Sequence, residues 1–192
     1  MKNLTPIGLL LAGLVLLVAL VAIEGRAQGT LYATSSGQTS FHSSTPAEDI
    51  NAVNKKTQAI LNIATGEIAV LMNMRDFDFP NELMEEHFNE NYIESEKYPK
   101  ATFKGKLDQP LDLTRNGSIE LTATGTFTVH GVSQPRTLQG TLTVQEGTLK
   151  LDSAFEVALV DHKIEVPKLV FVKIAQIIRV KASYTLTPYK RQ

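Results

Sequence analysis

Four histidines, His42, His87, His130 and His162, are the first residues to weigh for chemistry, because imidazole is both a general base near neutral pH and a common metal ligand. None stands at the spacing from another histidine or a carboxylate that a zinc site uses, so the sequence argues against a metal. His130 alternates onto the water-facing side of its strand, beside a turn. Nucleophilic catalysis fares no better. Cysteine is absent, no Gly-x-Ser-x-Gly elbow occurs, and the serine that adjoins a histidine, Ser43 after His42, sits at a strand end. Asp76 and Asp78 are paired carboxylates two apart on an extended segment, a spacing that reads as a solvated strand edge rather than a general acid and base. The residues point to no catalytic group and no cofactor.

What remains is apolar surface and its arrangement. Ile119, Leu121, Ala123, Gly125, Phe127 and Val129 alternate with Glu120, Thr122, Thr124, Thr126, Thr128 and His130, six in/out pairs that predict a half-buried strand. Beyond the Gly131 to Pro135 turn, Leu138, Gly140, Leu142 and Val144 alternate with Thr137, Gln139, Thr141 and Thr143. Threonine, β-branched and tolerant of water, suits the outer face. Leu149, Leu151, Ser153, Phe155, Val157 and Leu159 predict a further strand, and Ile178, Val180, Ala182, Tyr184 and Leu186 the last. Leu31–Thr34, Gln38–Ser43, one or two strands within Ile50–Ile63, a hairpin through Thr65-Gly66-Glu67 into Ile68–Met74, and Ala101–Leu107 complete the set. Seven to nine strands joined mostly by short turns predict an all-β antiparallel barrel or sandwich.

One segment, Pro80–Asn91, predicts a helix of three turns. Leu83, Met84, His87 and Phe88 share a stripe, while Glu82, Glu85, Glu86, Asn89 and Glu90 face away. A weaker helical candidate is Pro167–Ile177, apolar without clear period, with a loop and strand as the alternative.

Small residues on the inner face, Gly125 and Gly140 among them, admit two readings. Mixed large and small residues taper an ordinary packed barrel, or the small ones line a cavity, since a barrel of eight strands is wide enough for either.

The first 27 residues are set aside as a secretory signal peptide. Lys2 is basic, Leu9–Ile23 is apolar, and Gly25-Arg26-Ala27 offers small residues for cleavage before Gln28. The rival is an uncleaved membrane anchor, because Leu4–Ile23 approaches the roughly 20 residues of a bilayer span. Cleavage leaves 28–192 as one domain with 17 basic and 19 acidic residues, net charge near −2, after Lys2, Arg26 and Glu24 are taken from totals of 19 and 20. Basic residues are scattered, which excludes a nucleic-acid surface. Without cysteine there is neither a disulfide framework nor lipid attachment through an N-terminal Cys.

Several blocks occurring in order carry a family resemblance. Tyr98-Pro99 before Ala101-Thr102-Phe103, His87-Phe88 with Tyr92-Ile93, Gly125–Ser133 with Pro135, and Phe155–Ile164 with Asp161 and Pro167 resemble the signature elements of the YceI-like family of exported bacterial proteins. The match runs from about Leu31 to Leu186. Glu85-Glu86 and Asp161-His162-Lys163 depart from the family pattern. The resemblance implies an eight-stranded lipocalin-like antiparallel barrel, closed at one side by a helix, that binds a long polyisoprenoid in its interior, acts outside the cytoplasm and is not an enzyme. It makes Gly125 and Gly140 the expected floor of a tunnel.

The reading favoured is therefore a periplasmic or secreted binding protein that holds an isoprenoid lipid, of quinone or polyprenyl type, for transport, storage or sequestration. Leu121, Phe127, Gly140, Leu142, Phe155 and Leu159 are expected to line the ligand site, with Met72, Met84 and Phe88 toward the helix. Phe41 and Phe103 depend on a strand register that the sequence leaves open. No cofactor is expected beyond the lipid, membrane proximity would come through the N-terminal segment, and a homodimer stays open. The alternative is a structural or stress-response envelope protein with a solid barrel.

Overall fold

The computed structural model describes residues 30–114, 116–166 and 173–189. The expected signal peptide, most of the Pro167–Ile177 candidate helix and the Pro167 of the family block lie outside them.

Period-two alternation produces strands where it was expected. They are β1 (Leu31–Ser44), β2 (Asp49–Asn62), β3 (Glu67–Asn73), the two-residue β4 (Phe77–Asp78), β5 (Lys100–Leu107), β6 (Gly117–Val129), β7 (Val132–Gln145), β8 (Thr148–Ala158) and β9 (Ile177–Pro188). The two short strands expected within 31–43 are one strand, bent by a register shift around Gly37. Ile177, the end of that candidate segment, opens β9, which agrees with the strand alternative at that position.

The eight long strands pair antiparallel in the order β1-β2-β3-β5-β6-β7-β8-β9, and β9 returns to β1, so the sheet closes on itself. Closure removes both sheet edges. It also gives each strand one inward face. In β6 the inward set is Leu121, Ala123, Phe127 and Val129, all buried, with Glu120, Thr124 and Thr126 exposed.

The β6–β7 turn shows how local chemistry sets register. His130 and Gly131 both have positive φ, 52° and 69°. That is the backbone hand of the two-residue turn whose twist matches the strands it joins. It pairs Val129 with Val132 and carries the register down to Gly117 and Val144.

The covering helix is shorter than the stripe suggested. Helix α1 spans Glu82–His87, and Asn81 caps it by accepting hydrogen bonds on Oδ1 from the N–H groups of Leu83 (2.9 Å) and Met84 (3.4 Å). The chain then widens into a π-helical turn over Phe88–Tyr92, closed by the Ile93 N–H donating to the Phe88 carbonyl at 2.9 Å. The wide turn delivers Ile93, 5% exposed, to the barrel wall.

The core is uneven along the barrel axis. At one end Leu61, Leu142, Leu149 and Leu186 are at most 1% exposed. The other end, beneath α1, is hollow.

Candidate functional site

A cavity of about 450 Å³ occupies the α1 end of the barrel. The strands enter it through the residues nearest that end: Phe41 of β1, Met72 of β3, Ala101 of β5, Phe127 of β6, Phe155 and Val157 of β8, and Val180 of β9. Met84 and Phe88 come down from α1 and the turn that follows it. Leu83 lies on the wall yet is 56% exposed, which puts the mouth beside α1.

Four phenylalanines hold the covering segment in place. Phe88 stacks on Phe41 with ring centroids 5.4 Å apart, and Phe77 and Phe79 lie within 5.9 and 5.0 Å of Phe88. Phe127 and Phe155 meet edge to face at 5.8 Å. Aromatic pairs at these separations add about 0.5–1.5 kcal/mol beyond the area they bury.

A belt of buried hydroxyls adjoins the cavity at Thr39, which lines it. Thr57 lies 3.4 Å from Asn54 Oδ1, the Thr39 and Thr57 hydroxyls share a hydrogen bond at 2.9 Å, and Thr39 shares another with the Tyr184 hydroxyl at 2.9 Å. Asn54 completes the run by donating to the Asn73 carbonyl. Thr39, Asn54, Thr57 and Tyr184 are all buried. Burial of the phenol pushes its pKa up to about 12, against a smaller lowering from the Thr39 hydroxyl beside it. The Tyr184 ring lies over Gly37, where a Cβ would come within 2.6 Å of Cδ1. Glycine at 37 is what lets the ring lie there.

A second set of contacts ties the covering segment to the barrel rim. His130 does not face water as its alternation suggested. Its left-handed φ turns the side chain off the strand's outer face, and its ring lies 4.5 Å from that of Tyr98. Nε2 meets Glu94 Oε2 at 2.8 Å, and Nδ1 meets the His162 carbonyl at 3.0 Å. The hydrogen bond from His130 holds the Glu94 carboxyl below its usual range. His162 is fully buried, with Nδ1 at 3.1 Å from the Val132 carbonyl, Nε2 without a hydrogen-bond partner among the described residues, and its ring edge-on to Phe127 at 5.4 Å. Burial pushes its pKa down.

Asp76, one of the paired carboxylates, is engaged rather than free. Lys56 Nζ lies 3.0 Å away and Asn73 donates at 3.1 Å, and these hydrogen bonds lower its pKa.

Of the nine residues expected around a ligand, Met72, Met84, Phe88, Phe127, Phe155 and Leu159 share the cavity wall. Leu121, Gly140 and Leu142 do not. Leu121 and Leu142 lie in the packed end, 4% and 0% exposed. Gly140 is small because β8 runs close: a Cβ there would sit 2.7 Å from the Asp152 carbonyl oxygen. Gly125 is likewise opposed to Gly105 across β5 and β6, and a Cβ on it would run into the Lys104 carbonyl. These glycines permit strand contact at a strongly coiled part of the wall, and they are no tunnel floor. Phe41 lines the cavity and Phe103 does not. Phe77 and Phe79 were missed, although their alternation around Asp78 was a readable period-two signal.

Fold and cavity together define a lipocalin-like closed barrel with an internal apolar site reached from one end. The chain belongs to the YceI-like family, whose domain model matches residues 27–186. Its backbone is similar to that of a polyisoprenoid-binding domain from Saccharophagus degradans implicated in plant cell wall breakdown, with a TM-score of 0.71 at 12% identity, covering 84% of this chain and 99% of that one. It is also similar to Burkholderia cenocepacia BcnA, with a TM-score of 0.66 at 16% identity over 79% of this chain and 96% of that one. For the Campylobacter jejuni YceI protein the TM-score is 0.56 at 17% identity, over 72% and 83%. No curated protein matches the chain.

Proposed function

We propose that this protein binds an isoprenoid lipid inside its barrel and carries or stores it outside the cytoplasm without covalent chemistry. The observation that carries the reading is the cavity: about 450 Å³ walled by phenylalanine, methionine and aliphatic side chains. Unfilled, a space of that kind is costly, at ~24 cal/mol per Å³ in engineered cores. An apolar ligand offsets that cost by moving its own surface out of water, at ~0.8 kcal/mol per methylene. Met72, Met74 and Met84 add a lining that adapts to the irregular outline of a branched chain. Family membership and the polyisoprenoid-binding relative support the isoprenoid class. Export rests on the Leu9–Ile23 apolar run and the Gly25-Arg26-Ala27 site.

The test is organic extraction of protein purified from its native host, followed by mass spectrometry. Recovery of an isoprenoid in near-stoichiometric amount is expected. Protein that is repeatedly empty, and that takes up no isoprenoid when offered one, would sink the reading.

A further inference from the structure

We infer that Ser43 and Lys173, with Glu48 balancing the charge, form a head-group site at the edge of the cavity that takes an uncharged carbonyl and turns away a phosphate. The inference rests on the lipid-binding reading above and assigns the lipid its polar end.

Three separate stretches of chain bring these groups to one corner of an otherwise mainly apolar wall. Ser43 comes from the end of β1, Glu48 from the β1–β2 turn and Lys173 from the segment before β9, and all three line the cavity. Two contacts tie them together: the Ala175 N–H donates to Ser43 Oγ at 2.9 Å, and Lys173 Nζ lies 3.6 Å from Glu48 Oε2. The Lys173 side chain is 59% exposed whereas Ser43 is 2% exposed. The corner therefore runs from solvent into the wall.

Its hydrogen-bonding capacity is mostly that of a donor. Ser43 Oγ accepts from Ala175, which leaves its own hydrogen without an acceptor among the described residues. A buried donor of that kind is costly until an acceptor meets it. Lys173 carries three N–H donors and faces one carboxylate. Both side chains thus have hydrogens to offer a ligand oxygen. Thr39 and Asn81, also on the wall, are already engaged, the first with Thr57 and Tyr184, the second as the cap of α1.

Charge decides which oxygen. Glu48 cancels Lys173, so the pair presents no net positive charge, and α1, which brings Leu83 and Met84 to the same cavity, carries Glu82, Glu85 and Glu86. A phosphate placed at Ser43 meets the Glu48 carboxylate at the border of an apolar wall, where water screens less than in bulk. A carbonyl oxygen accepts the same hydrogens without that repulsion. The lipid therefore lies with its apolar chain among the phenylalanine and methionine side chains and its head at the Ser43 corner.

The experiment is equilibrium competition on the delipidated protein among three ligands that share a farnesyl tail, with occupancy read by native mass spectrometry. Their heads are a methyl ketone, a monophosphate and no polar group at all. The ketone is expected to bind about tenfold more tightly than the phosphate. A phosphate bound as tightly as the ketone overturns the site while leaving lipid binding intact. Failure to bind any of the three overturns the function itself.

Desolvation alone disfavours a charged head in any apolar cavity, and Glu48→Gln separates that cause from the carboxylate. The variant keeps the size of the side chain and leaves Lys173 uncompensated, so the phosphate is expected to gain about tenfold while the ketone stays within about twofold. A folded variant with unmoved phosphate affinity overturns the role of Glu48. Lys173→Met, at a largely exposed position, is expected to weaken the ketone about tenfold and to leave the head-less hydrocarbon unchanged. Equal losses for ketone and hydrocarbon, or no loss for either, overturn the assignment of the head to this corner.

Discussion

The two ends of this barrel are built from the same strands and the same alternation, yet one is solid and the other hollow. At the solid end the inward positions are occupied mainly by leucine, and Leu142, Leu149 and Leu186 leave no accessible surface. At the hollow end phenylalanine and methionine stand among isoleucine and valine on the cavity wall, and the rings lie back against one another and against the covering segment. Between them runs the belt of Thr39, Thr57 and Tyr184. Stability and binding are thereby divided along the axis: the leucine end supplies packing, which frees the phenylalanine end to hold a space.

The sharpest way to break this comparison is to truncate one leucine at each end. Leu142→Ala removes methyl groups that are surrounded on all sides and is expected to cost about 4 kcal/mol. Leu159→Ala, on the cavity wall, loses fewer contacts and is expected to cost about 1–2 kcal/mol in the delipidated protein. Urea unfolding checks both, and equal costs would erase the distinction.

The belt can be probed by alkaline pH. The folded phenol of Tyr184 has a pKa of about 12, raised above the ordinary value near 10. A folded pKa above the unfolded one favours the protonated native state, so the contribution is complete below about pH 10 and is lost as pH rises toward 12. A gap of that size corresponds to about 3 kcal/mol. Unfolding midpoints measured across this window are expected to fall for the native chain and to fall distinctly less for Tyr184→Phe.

At the hollow end, affinity rather than stability is expected to respond. Met84→Ala removes a half-buried side chain from the cover and is expected to weaken isoprenol binding roughly tenfold with little change in urea midpoint. A large loss of stability without a change in affinity would place Met84 in the solid half of the comparison.

The smallest effect belongs to His162, where the rim meets the wall. Its folded pKa is lowered by burial, so its contribution is present above the unfolded value near 6.5 and is lost as pH falls through the folded pKa. Stability is expected to decline as pH drops below about 6.5, with a shallower decline in His162→Gln. Parallel curves would show that the histidine does not report on the packing of that rim.

Much of the strand framework was legible in sequence because the side-chain period in a strand is two and water enforces it. The runs Ile119–Val129 and Leu138–Val144 became β6 and β7 with the expected inward faces. Phe127, Phe155 and Leu159 were readable as wall residues for the same reason, and Met84 and Phe88 through their shared helical stripe. Depth along the barrel was not legible. Leu121 and Phe127 stand on one face of one strand, six residues apart, and alternation treats them alike although one lies in the packed end and the other on the cavity. His130 escaped for another reason: a positive φ at a turn overrides the alternation of the strand before it.

By itself the sequence determined that the chain forms strands, which side of each strand faces inward, where the covering helix begins, and which family pattern the blocks follow. Each of these depends on residues close together in the chain. Only the tertiary structure decided that Gly37 would admit the Tyr184 ring, that Gly105 would oppose Gly125, and that hydroxyls 18 and 145 residues apart would meet in a belt. Those contacts join distant segments through sheet closure and register, and they determine where the barrel is full and where it is empty.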